Sequence, residues 1–176
     1  MRYVYAVLVV VLLAGCAGEY MVHEEVEHIG HDHHTHVVSS EQEFLVEMIP
    51  HHQEAVDTSR IVVANSKNPS LVALAEDIIE EQVGEIALME SLLLQYDSAL
   101  VATYQPMMGD LSLLSGDALD VAYISGMLAH HQAAILMARS VLELGPSEEV
   151  FVLANNIIES QTTEVFLLQE LLEEYE

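Results

Sequence analysis

Cysteine, tryptophan and basic side chains are what this sequence is short of. Its 176 residues include one cysteine, no tryptophan, four prolines, eight glycines, and four Lys+Arg against 29 Asp+Glu. A single cysteine excludes an internal disulfide framework and any CxxC zinc or redox motif. The formal charge of −25 argues against nucleic acid and anionic lipid headgroups as partners, since both would repel the chain. It suits attraction of cations or a salty habitat. What the chain does have is apolar surface: 52% of residues are hydrophobic, enough to bury a core, and the length fits one domain with a tail.

Met1–Cys16 reads M-R-Y-V-Y-A-V-L-V-V-V-L-L-A-G-C. Arg2 precedes an apolar run too short for a membrane span, which takes roughly 20 residues, and that run suits the h-region of a secretory signal. Leu13-Ala14-Gly15-Cys16 resembles a bacterial lipobox. Residues 1–15 are therefore expected to be a lipoprotein signal peptide and Cys16 the lipidated first residue of an extracytoplasmic, membrane-anchored protein. A plain signal or an uncleaved anchor helix is the alternative. Residues 16–40 are expected to be a flexible tether rich in histidine, with His23, His28, His31, His33, His34 and His36 among acidic neighbours. Imidazoles at that density can gather metal ions loosely.

Residues 44–97 and 123–176 are one unit written twice. An offset of 79 aligns them without a gap, and 18 of 54 positions are identical. The matches include Met48/Met127, His51/His130, His52/His131, Gln53/Gln132, Arg60/Arg139, Gln82/Gln161, Glu85/Glu164 and Tyr96/Tyr175. Such a repeat implies two copies of one supersecondary unit related by a pseudo-twofold axis. Within each copy, apolar positions step by three and four: Phe44, Met48, His51, Ala55, Thr58 and Val62, then Leu71, Ala75, Ile78, Gln82, Glu85, Met89, Leu92 and Tyr96. Each copy is a helical hairpin, so residues 41–176 are expected to form an all-α antiparallel four-helix bundle. Asp117 is expected to cap the third helix. The long connection before it, containing Pro106-Met107-Met108, can cross the end of the bundle or lie along it.

Histidine, glutamine and glutamate stand on these seams where apolar residues belong. Left unpaired, each would cost on the order of 1–3 kcal/mol, so they either bond one another or hold an ion. Each copy places an adjacent histidine pair three residues after a methionine. Thioether with imidazole is a donor set that favours Cu(I) and Ag(I). The candidate ligands are Met48, His51, His52, Met127, His130, His131 and Met137, with Met89, Met107 and Met108 in reserve. Gln82, Glu85, Gln161 and Glu164 would orient the imidazoles through their second nitrogen. Arg60 and Arg139 are expected to pair with acids of the neighbouring helix, Glu80 and Glu159.

Met48–Asp57, M-I-P-H-H-Q-E-A-V-D, and Met127–Arg139, M-L-A-H-H-Q-A-A-I-L-M-A-R, resemble the paired signature of the domain of unknown function 305 family. So do Ile78–Glu85, Ile157–Glu164 and the Pro-Met-Met linker, over residues 41–176. The resemblance implies a ferritin-like, commonly exported bundle, with copper or silver binding in some members. The family usually has methionine where Thr58 and often where Leu168 stand, and proline where Ala129 stands, which leaves Met127–Met137 the richer candidate segment. A metal-buffering lipoprotein without enzymatic turnover is the expectation. The alternatives are a structural or adaptor bundle without metal, and a ferritin-like metal oxidase. The oxidase would need Glu-x-x-His pairs, and neither repeat has one.

Overall fold

Capping chemistry decides where the helices begin. The computed structural model describes residues 37–97 and 100–175, all within one unit; the signal segment, Cys16 and the tether histidines lie outside the described residues. Ser40 accepts a hydrogen bond from the Glu43 N–H, and the Glu43 carboxylate reaches back to the Ser39 N–H at 2.8 Å. This reciprocal arrangement satisfies donors that a helix start leaves open, and α1 runs Glu41–Asn65. Asn68 caps α2, Pro69–Leu93, by accepting from the N–H groups of Ser70 and Leu71, with Pro69 in the first turn. Helix α3 spans Asp117–Glu143 and α4 spans Glu148–Glu173.

The start of α3 differs from expectation. Gly116, not Asp117, is the cap, with φ 58° and ψ −148°, a conformation that side chains oppose. Asp117 falls instead in the first turn, with Asp120, where a negative charge meets the positive end of the helix dipole. Ahead of α1, Val38 is buried and its N–H donates to Ser140 Oγ at 3.1 Å, so the bundle's contacts reach back past Glu41.

Helix α1 packs on α2 and on α3, α3 packs on α4, and α2 meets α4 more sparsely. Val38 meets Ser140, His51 meets His130, and Ser59 meets Tyr123. Rising numbers on α1 oppose falling numbers on α3, so the two run antiparallel. His51 and His130 are repeat equivalents that face each other, which puts the pseudo-twofold axis between them. The same symmetry pairs the hydrogen bond from Tyr96 to Glu41, 2.5 Å, with that from Tyr175 to Asp120, 2.9 Å.

Two apolar clusters flank the histidine layer. One holds Phe44, Met48, Met89, Met137 and Ile157; the other holds Leu71, Met108, Tyr123, Met127 and Leu168. The connection between α2 and α3 lies along α1. Thr103 donates to Glu47 Oε1 from its N–H and its hydroxyl, at 2.7 and 2.9 Å. The Tyr104 hydroxyl and the N–H groups of Met107 and Met108 donate to Glu54. Arg60 pairs with Asp57 on its own helix at 3.0 Å, not with Glu80, because both members project from the solvent face of α1. Among the described residues Arg139 makes no ion pair, and no helix is long and apolar enough to cross a membrane.

Candidate metal centre

Helical spacing points His51 and His52 inward from α1, and their equivalents His130 and His131 inward from α3. All four are fully buried. The His51 and His130 rings stack with centroids 3.7 Å apart, tilted by 39°. Within each doublet the centroids are 6.1 and 6.2 Å apart. Each outer histidine meets a glutamate of the helix paired with its own: His52 Nε2 lies 2.8 Å from Glu85 Oε2, and His131 Nε2 lies 2.7 Å from Glu164 Oε2. A carboxylate held on Nε2 leaves Nδ1 to act elsewhere.

The axial pair is covered by the connection. Tyr104 sits edge-on to His51 with centroids 5.3 Å apart, and its hydroxyl is tied to Glu54. Glu54 Oε2 also lies 3.4 Å from His130 Nε2. Burial alone would raise the Glu54 carboxyl, but His130, Tyr104 and the Met107 and Met108 N–H groups outweigh it and hold the carboxyl at about 2. Burial, opposed by Glu54, lowers His130, which keeps its ring neutral with a free lone pair at neutral pH. Burial and the Glu54 carboxylate both push the Tyr104 hydroxyl well above the ordinary phenol range.

The remaining candidates are distributed unevenly. Met48, Met89, Met127 and Met137 are fully buried, and Met108 is buried with its sulfur 3.4 Å from the Thr58 hydroxyl, which donates at 2.8 Å to the Glu54 carbonyl. Met107 is exposed and contributes only its backbone N–H to Glu54. Gln82 and Gln161 are each 1% exposed, yet neither side-chain amide meets a hydrogen-bond partner among the described residues. The structure thus brings Glu85 and Glu164 to the imidazoles, whereas no hydrogen bond joins either glutamine to them among the described residues. Helix α3 running against α1 also regroups the sulfurs. Met137 of the second repeat shares a cluster with Met48 and Met89 of the first, while Met127 lies in the other, so Met127–Met137 is not one local site.

Buried Nδ1 atoms of His52, His130 and His131 likewise have no hydrogen-bond partner among the described residues. Imidazole nitrogens in that state, in a layer flanked by clusters that hold thioethers, fit a soft ion. Among the described residues no three His, Cys, Asp or Glu side chains converge as a ligand group, and the flanking clusters hold thioether sulfur as a further donor.

Glu54 and Tyr104 were missed as neighbours of the histidines, and Glu47 as an anchor of the connection beside them. The signal for the two glutamates was present in the repeat itself. Where the first copy has Glu47 and Glu54, the second has Gly126 and Ala133, so both carboxylates sit on the helix the connection overlies. Gly126 completes the fit: a Cβ there would stand 3.0 Å from Met108 Cε.

The family model described as Domain of unknown function (DUF305) matches residues 41–172. Among solved structures, CopM in its Cu(I)-bound form is 28% identical with a TM-score of 0.70, covering 77% of this chain and 97% of that one. CopM in an Ag-bound form is 28% identical with a TM-score of 0.69 over the same shares. A DUF305 protein from Streptomyces coelicolor is 28% identical with a TM-score of 0.70, covering 77% and 93%. The curated relative "Uncharacterized protein L153" of Acanthamoeba polyphaga mimivirus is 39% identical over 59 residues, 34% of this chain and 39% of that protein's length.

Proposed function

The chain belongs to the DUF305 family, and on that footing we propose that it is an extracytoplasmic, lipid-anchored protein that binds and buffers copper- or silver-type ions. The ligands are the His51/His52 and His130/His131 doublets with methionine sulfur from the flanking clusters. One observation carries this reading: two histidine doublets from separate halves meet in a fully buried layer, at 3.7 Å between the axial rings. CopM, similar along most of its length, has Cu(I)- and Ag-bound forms. No turnover is assigned, because an oxidase centre of the ferritin type needs Glu-x-x-His pairs that the repeats lack.

When bound, the ion would supply a partner for the buried Nδ1 atoms of His52, His130 and His131. Glu85 and Glu164 would hold the outer rings, and the Tyr104–Glu54 strap would keep water from the axial pair. The His–Glu ties also suit a second reading, a bundle whose polar pairs only fix helix register. Cu(I) titration against a competing chelator separates the two. The metal reading expects tight binding that is lost in the H51A/H52A/H130A/H131A variant. Equal affinity in the two proteins would reject it and leave the register reading. Anchoring is tested apart from this: a C16A variant is expected in the soluble extracytoplasmic fraction, whereas the parent chain sediments with membrane.

A further inference from the structure

The two halves of the bundle are chemically unequal, and we infer that they hold a soft ion unequally: one tight site lies in the half carrying Met48, Met89 and Met137. This rests on the metal-binding reading above and assigns the site's sulfur ligands and stoichiometry. A pseudo-twofold axis between His51 and His130 duplicates any site on one side of the histidine layer in the other. His52 meets Glu85 and Glu41 meets Tyr96, a register that sets Met48 level with Met89. Met137 joins them in the same cluster, and all three are fully buried.

On the other side the equivalent positions are Met127, Leu168 and Thr58. Leu168 is fully buried and Thr58 is buried at 9% exposure. Their presence shows that the fold does not need sulfur at these places to fill space. That half gains a second thioether only from Met108, which is delivered by the connection and not by a bundle helix, its sulfur 3.4 Å from the Thr58 hydroxyl. Three thioethers on bundle helices therefore face two, one of them carried on the connection. Since no three His, Cys, Asp or Glu groups converge among the described residues, the number of sulfurs decides which half binds a soft ion tightly.

The test uses the full chain with its methionine methyl groups labelled with carbon-13, titrated with Ag(I) in excess free imidazole so that exposed histidines do not compete. With the first equivalent, the signals of Met48, Met89 and Met137 are expected to move while those of Met108 and Met127 stay. M89L is expected to weaken Ag(I) by about tenfold or more. Leucine already fills the equivalent place at Leu168, so this variant keeps the fold. M107L, at an exposed position, should bind as the parent does. A T58M/L168M variant is expected to hold two tight ions instead of one. Parallel movement of Met48 and Met127 at the first equivalent would overturn the inference and leave the metal-binding reading intact. No methyl movement at any ratio would overturn both.

Discussion

Glu54 has no counterpart in the second repeat, where Ala133 stands, and it fastens the α2–α3 connection over the stacked histidines. Its carboxyl is held at about 2 against an ordinary 4.5. Because the folded value is the lower one, the stabilisation is present above about pH 4.5 and is lost as pH falls through about 2. E54Q is expected to cost on the order of 1–2 kcal/mol at pH 7, after a discount for solvent screening of a partly exposed carboxylate, with a difference that dies away as pH falls through about 2, measured by urea denaturation. A second residue-scale expectation concerns the buried bond between Ser59 and Tyr123, 2.7 Å. Either S59A or Y123F alone should cost about 1–2 kcal/mol, since each strands a buried hydroxyl. The double variant should cost less than the sum. It recreates the Ala138 and Phe44 found at the equivalent places, where the core is apolar.

At the scale of the element, α1 carries Pro50 in its interior, which removes one i to i−4 hydrogen bond and crowds the preceding turn. Ala129 holds the equivalent place on α3. P50A is accordingly expected to stabilise the protein by about 1–3 kcal/mol, seen as a higher melting temperature with unchanged helical circular dichroism. The helices themselves were legible in the sequence. Seam residues recurred every three and four positions, and Asn68-Pro69 and Gly145-Pro146 marked the breaks. The cap of α3 was not, because an acidic residue beside glycine fits two starts equally. Only the backbone, with Gly116 at φ 58°, separates them.

For the whole molecule, a ligand that binds only the folded state raises stability by mass action, by about 2.7 kcal/mol at a hundredfold excess over Kd. Ag(I) or Cu(I) is expected to raise the melting temperature of the full chain, and a thiol chelator to reverse it. The register reading expects no change with either. Stability in Mg(II) serves as the reference, since thioether and imidazole favour soft ions over hard ones.

The sequence by itself determined the all-α hairpin repeat, its inward-facing histidines and the glutamates within reach of them. Each of those follows from spacing along one helix or one hairpin, where the period of 3.6 residues fixes which side chains share a face. Contacts between hairpins carry no such period. That His51 stacks on His130, that Met137 belongs with Met48 and not with Met127, and that the connection lies along α1 were decided by tertiary packing. The antiparallel crossing of α1 and α3 joins residues some 80 to 100 positions apart, and no local pattern records which surfaces of two repeated hairpins will meet.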